Sequence, residues 1–439
     1  MTAVLDFPVK PEARPYLDAF AERGEPSWLV GQRRRGLNRF AELGFPSRKS
    51  ESWRYLDLQS LQRQPLLPAA PTQGADLAPA RELLAHLTLE SGCPRLVIAD
   101  GRFVGELSAL EMPEGVWFGP ISRAIGECED LLRELAGEIA GDPAHPFAGL
   151  NAAFFADGYI LDIAPGVELS QPIEIVHLAT GGAKGSFHTR SLIALGAGSR
   201  AAIVETYAGA GRYWRNDVVA VRLGEDAELS RAVIVEEAAD AVHLAQLDAA
   251  LGPGASFAGF ALLLGGRTVR HEANLTLAGD GARCRLDGAF VVAGSDEANI
   301  VTTVDHRALR GQTRELIKGV AAERGHGAFQ GRITVREGAQ QTDAHQLSRS
   351  LVIGSRAAID TKPELEILAD DVKCSHGASV GDLDEAALFY LRARGIPEGE
   401  ARRMLIDGFL REAVETVEDF ASRTHLLRRL AARLARLEE

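Results

Sequence analysis

The sequence predicts a mainly β chain with α-helical regions at both ends, and three observations carry that expectation. From about Gly158, short β-branched runs recur between Gly-rich turns: GAGSRAAIVE at Gly196, GEDAELSRAVIVEE at Gly224, GPGASFAGFALLLGG at Gly252 and GDGARCRLDGAFVVAG at Gly279. The alanine after each turn falls at Ala201, Ala227, Ala255 and Ala282, in steps of 26, 28 and 27 residues, and Ala339 follows 57 residues later, although Ala357 comes early. Before and after this stretch the apolar spacing is helical. A period in the high twenties is too short for a propeller blade and suits one coil of a parallel β-helix, whose inward side chains pack on the neighbouring coils. An all-β sandwich with irregularly spaced turns fits the same degenerate repeat, so both folds remain open on pattern alone.

Taken in order, the first ~60 residues read as helical because Tyr16, Leu17 and Phe20, then Leu37, Phe40 and Ala41, follow i, i+3 or i+4 spacing. The Pro/Ala-rich stretch Pro65–Pro79 reads as a linker. Arg95–Val104 predicts a hairpin turning at Asp100-Gly101. Leu131, Leu132, Leu135 and Ile139 mark a further helix, stopped by Asp142-Pro143. Beyond Gly381 the chain reads as helical again: Asp384–Arg394 is closed by Gly395, and Pro397 begins the next helix. Two apolar stripes follow, Met404, Leu405, Phe409, Ala413, Val417 and Phe420, then Leu427, Leu430, Leu434 and Leu437. Three regions result: 1–150, mostly helical with a small hairpin; 151–381, the β core; and 382–439, a helical domain.

Bulk properties narrow the function. A net charge of −13 argues against a sequence-independent grip on nucleic acid. No apolar run approaches the roughly 20 residues of a membrane span. Met1–Phe20 carries Asp6, Glu12 and Asp18 and has no signal or transit character, so a bacterial cytoplasmic location is expected. Cys93, Cys128, Cys284 and Cys374 form no C-x-x-C pair, so neither a permanent zinc or cluster site nor a disulfide is expected. Asn274-Leu-Thr276 is a chance glycosylation match. No phosphate-binding G-x-x-x-x-G-K-[ST] loop, H-E-x-x-H helix or G-x-S-x-G elbow occurs; Gly181–Ser186 reads as a surface turn, and His271-Glu272 lacks a second histidine. No enzymatic activity is expected, and any energy input must come from a partner.

The chemistry worth weighing lies in Glu364–Gly381. Cys374 and His376 are two residues apart on an expected strand, so both can face one target. A thiolate and an imidazole are competent ligands for zinc or cluster iron, but two ligands cannot close a tetrahedral site. The blander reading is a buried thiol beside a hydrogen-bonded histidine. Leu365, Ile367 and Ala369 share odd parity whereas Val372, Cys374 and His376 share even parity, so a turn or bulge is expected at Asp370-Asp371. His345 with Gln340–Asp343, and His306 beside Asp305, read as structural hydrogen-bonding groups. Trp53-Arg-Tyr55 reads as a packing anchor. Arg423, Arg428, Arg429, Arg433 and Arg436 read as a solvated helix face.

The run ADDVKCSHGASVGDLDEAALFYLRARGI, Ala369–Ile396, resembles the C-terminal signature of the SufD branch of the SufB/SufD family of iron-sulfur cluster assembly proteins. Weaker likenesses lie in Ala339–Ile367, in Asn151–Gly158 with its Phe-Phe-Ala-Asp-Gly ending, and in Ser47–Leu61, so the resemblance spans most of the chain. The SufB branch generally lacks Lys-Cys-Ser-His-Gly at this point. The resemblance implies a right-handed parallel β-helix core flanked by the helical regions, which decides between the two folds. It implies a non-catalytic scaffold that pairs with SufB by β-helix edges and with the ATPase SufC through its C-terminal helices, with homodimerisation as an alternative use of the same edge. The cofactor implied is a nascent iron-sulfur cluster, transient and shared with SufB, near Cys374 and His376; no permanent cofactor is expected. For SufC the expected contacts are Tyr390 and Arg394, with Ile406, Phe409 and Leu410 as an exposed stripe. The competing class is a β-helical polysaccharide lyase or acyltransferase. The sequence lacks the secretory signal and long charged cleft expected of the first and the strict hexapeptide repeat of the second.

Overall fold

A computed structural model describes residues 8–21, 25, 27–69, 76–89, 92–128, 132, 145–182 and 184–436. From Tyr159 onward the chain winds as a β-solenoid of about 8 turns, each turn giving one strand to a ten-stranded sheet and one to a nine-stranded sheet. Successive turns pair in parallel and in register. Ser256 pairs with Glu228 on one side and Arg283 on the other, which makes these turns 28 and 27 residues long. Later turns are longer: Gln312 pairs with Asp343, and His326 with Ala358. Parallel ladders rule out the sandwich.

The corner of each turn explains the repeat and one slip in reading it. Ala227, Ala255 and Ala282 are fully buried, and each donates its N–H to the glycine carbonyl three residues earlier. The equivalent residue one turn earlier is Ser199, which makes the same bond to Gly196, and not Ala201, because Arg200 pairs with Glu228. The corner requires a small side chain, and serine meets that need as alanine does.

Inside the solenoid, alternate residues of each strand face inward. In Arg283–Val292, Cys284, Leu286, Phe290 and Val292 join the inner clusters, while Ala289 and Val291 face outward beneath the C-terminal helices. Between the apolar layers lies a buried polar network. Glu205 accepts from Tyr159 Oη (3.2 Å) and Arg231 Nε (3.0 Å) and meets His177 Nε2 at 2.8 Å, while Tyr207 Oη donates to Asp217 at 2.7 Å. Burial pushes the Glu205 carboxyl up, but Arg231 and His177 outweigh it and hold it well below the ordinary value.

The flanking regions lie along the outer sheet faces. Tyr16, Phe40, Phe45 and Phe147 pack edge-on or tilted around Trp214 of the nine-stranded sheet, with the Phe147 and Trp214 rings 5.4 Å apart. Trp53 is the packing anchor expected, with the Arg270 guanidinium 4.1 Å from its ring. The expected hairpin forms between Arg95–Ala99 and Arg102–Phe103, and Asp100 and Gly101 take φ of 49° and 77°, as a tight primed turn requires. The helix expected from Leu131 falls outside the described residues except for Leu132, which is buried, and Leu437 also lies outside them. Asp384 caps helix Glu385–Ala393, Gly395 at φ 87° ends it, and Pro397 precedes helix Glu398–Val414.

Two expectations about the C-terminal helices need correction. Ile406 and Leu410 are buried, at 9% and 0% exposure, because the outer face of the ten-stranded sheet offers Ile234, Leu262, Val291 and other apolar side chains that need cover. Phe409 is half-buried beside them, with Lys318 Nζ 4.3 Å from its ring, and Lys318 also pairs with Glu412. The basic residues of helix Phe420–Ala435 are not merely a solvated face: Arg429 pairs with Glu236 (2.7 Å), and Arg428 donates to the Thr88 carbonyl (2.8 Å). Arg429 docks the helix onto the sheet, and Arg428 ties it to the end of helix Ala78–Leu87. Among the described residues no helix is long and apolar enough to cross a membrane.

The interior charges give a direct test. Glu205→Gln leaves Arg231 buried without its charge partner and is expected to lower stability to urea by about 3–5 kcal/mol. A loss below about 1 kcal/mol, the range of an ordinary neutral hydrogen bond, would show that the network adds little to stability.

Candidate functional site

Strands Ala358–Ile367 and Lys373–Gly381 close the solenoid, and each is the terminal strand of its sheet, with one paired edge and one edge that is free among the described residues. The sequence suggested one strand interrupted by a turn or bulge. The structure has a full corner at Asp370–Asp371 that carries the chain from one sheet to the other. Gln340 and Gln341 pin this corner: Gln341 N–H donates to the Asp371 carbonyl (2.6 Å), and Gln340 Oε1 accepts from Asp371 N–H (2.9 Å). The change of sheet resolves the parity conflict, since Leu365 before the corner and Cys374 after it both pack against the same inner cluster.

Cys374 and His376 share the inward face of the last strand, as their spacing predicts. Cys374 stacks on Ala344 and is half-buried; burial raises its thiol above the ordinary value, so it is held as a thiol until a metal or base takes the proton. His376 stacks on Gln346 and is exposed at the open end. Beneath it the column continues inward, because Gln346 stacks on Glu315 and donates its amide N–H to that carboxyl. Burial pushes the Glu315 carboxyl up to about 7, against the opposing pull of Gln346. Sequence reading missed Glu315 and Gln346. Their only signal is polarity at inward positions of strands, which is visible once the register is known.

The other candidates separate cleanly. His345 is on the outer face of its strand, bonded through Nδ1 to Ser375 Oγ (2.6 Å) and paired through Nε2 with Asp343 (2.8 Å), and Asp343 also accepts from Arg314 (3.0 Å). His306 bonds Thr313 Oγ1 at 2.7 Å, and burial lowers its imidazole to about 4. Asp305 meets Arg307 and Arg336 instead of its sequence neighbour. These groups are held in structural bonds, although His306 Nδ1 is buried without a hydrogen-bond partner among the described residues. On the C-terminal helices the exposed apolar residues are Phe389 (73%), Tyr390 (56%), Met404 and Phe420, and the Arg394 guanidinium lies 4.9 Å from the Tyr390 ring.

The β-solenoid thus ends in two terminal strands, with a thiol and an imidazole on the same face of one of them. The chain belongs to the SufB/SufD family: the model of the SUF-system FeS cluster assembly SufBD core domain matches residues 177–409, and that of the SufBD N-terminal region matches residues 18–175. It is 29% identical to the iron-sulfur cluster assembly protein SufD of Escherichia coli (strain K12) over 408 residues, 92% of each chain. It is 27% identical to SufD of Bacillus subtilis (strain 168), over 91% of this chain and 92% of that one. Protein ABCI7, chloroplastic, of Arabidopsis thaliana is 30% identical over 84% of this chain and 79% of its own. The chain is therefore an iron-sulfur cluster assembly protein of the SUF system.

Glu315 makes the site's electrostatics measurable. Its folded-state pKa, about 7, lies above the ordinary 4.5, so its contribution to stability is full below about 4.5 and is lost as pH rises through about 7. Glu315→Gln cannot ionise. The wild type is expected to lose stability relative to this variant across that window, by an amount of the order of 3 kcal/mol. Thermal melts of the two proteins at matched pH check it, and parallel curves would show that Glu315 titrates normally.

Proposed function

We propose that this chain is a non-catalytic scaffold subunit of a SufB-SufC-SufD complex, working in a bacterial cytoplasm, on which iron-sulfur clusters are built and passed on. The observation that carries the reading is the Cys374–His376 pair on a terminal strand. Two donors cannot complete a tetrahedral site, and they stand where a second chain could add both strand and ligand. The free backbone edge suits pairing with a homologous β-helix, SufB, and the same edge serves a homodimer when the chain is alone. The cluster is cargo, shared across that interface. His376, exposed and on the rim, is its readier ligand here, and Cys374, whose thiol must first lose a proton, is auxiliary. A histidine among thiolates also favours later release, because thiolate is the commoner and softer cluster ligand.

Energy enters through the ATPase SufC, docked on the C-terminal helices. The burial of Ile406 and Leu410 moves the proposed contact surface to Tyr390 and Arg394 together with Phe389 and Met404, with Phe409 at its margin. Aromatic side chains and an arginine are what binding surfaces favour.

His376→Ala is expected to leave the subunit folded and the complex assembled while cluster formation on the complex falls. Cys374→Ser is expected to have a similar or smaller effect. Reconstitution of the purified complex, followed by iron and sulfide content, decides the matter; both variants carrying cluster at wild-type yield would return the pair to a structural role.

For the dock, Phe389→Ala combined with Tyr390→Ala is expected to weaken capture of SufC about tenfold or more and leave the thermal melt nearly unchanged. Deleting residues 384–439 is the poorer test, because it strips the cover from the ten-stranded sheet. Undiminished capture by the double variant would place the dock elsewhere.

A further inference from the structure

We propose that Gln346 and Glu315 are positioning residues for His376: they hold one ring N–H inward and so turn the lone pair of the other ring nitrogen outward to the free edge. The inference rests on the reading of His376 as a ligand. Glu315, Gln346 and His376 occupy the same inward position on three successive turns. Glu315 and Gln346 are sealed, at 4% and 2% exposure. An ionised carboxylate only accepts, so Glu315 obliges Gln346 to turn its NH2 group down the solenoid. The amide is planar, so its carbonyl is directed away from that carboxylate. That oxygen, Gln346 Oε1, is buried and has no hydrogen-bond partner among the described residues.

A buried orphan carbonyl is costly, and the side chain stacked directly above it is the His376 imidazole. Parallel neighbours lie about 4.8 Å apart, which brings a ring N–H within reach of Oε1 by a rotamer change alone. Gly331, on the facing sheet, keeps the space for this arrangement, because a Cβ there would fall on Gln346 Nε2. The bond would fix the imidazole tautomer and ring orientation, which is what outer partners of metal-binding histidines do. Neither residue touches the cargo.

The test uses the full chain labelled with nitrogen-15 histidine in alkaline buffer, where Glu315 is ionised, with the His376 signal identified by its loss in His376→Ala. A single neutral tautomer is expected in the wild type, with one ring nitrogen protonated. Gln346→Met, matched in length but without the acceptor, is expected to show averaged tautomers. Glu315→Gln, whose amide lets Gln346 turn either way, is expected to show partial averaging, and it serves alone if the methionine variant does not fold. An averaged signal in the wild type, or no change in the variants, overturns the proposal whatever His376→Ala does to cluster yield. A fixed tautomer lost in the variants supports it; normal cluster yield in His376→Ala would then overturn the ligand reading and leave the positioning intact.

Discussion

Every inward side chain of this solenoid must sit on the side chain one turn below it, and most of the structure follows from that stacking. The parallel register leaves no freedom to slide, since a one-residue slip would send the inner face outward. It forces small residues at the corners, Ser199, Ala227, Ala255 and Ala282, where the chain folds back on itself. It also lets a charge placed inside meet a counter-charge on a neighbouring turn or strand. Glu205 finds Arg231 one turn on. Glu237 finds Arg215 in the preceding strand at 2.6 Å, and burial is outweighed there so that its carboxyl is held down to about 2.

Stacking also has ends. A middle turn satisfies its backbone on both sides, whereas Ala358–Ile367 and Lys373–Gly381 satisfy theirs on one. The inward face that is core in earlier turns becomes a rim here, so Cys374 is only half-covered and His376 is open. The exposure of this end is a consequence of running out of turns: side chains that point inward along the whole solenoid are left uncovered at its last step.

The outer faces impose the complementary demand. Parallel sheets are apolar on both sides and need cover. The N-terminal helices cover one sheet around Trp214, and the C-terminal helices cover the other around Val291, fastened by Arg429–Glu236 and Lys318–Glu412. Most of the apolar stripes on these helices are thereby consumed, and the aromatic surface left over lies on Glu385–Ala393 and at Phe420.

Local order was legible in the sequence wherever its cause is local. The hairpin at Asp100-Gly101, the cap at Asp384, the stop at Gly395 and the shared face of Cys374 and His376 depend on residues a few positions apart, and the sequence alone determined them. The repeat was visible too, although Ser199 hid one corner because a serine does the work of an alanine there. What only the tertiary structure decided depends on residues about thirty positions apart. The column Glu315, Gln346, His376 exists only when register stacks three turns, and no spacing rule distinguishes it from polar residues on an outer face. The same holds for Ile406 and Leu410: an apolar stripe shows that a helix face wants burial, but whether the solenoid or a partner supplies it depends on which sheet face lies opposite.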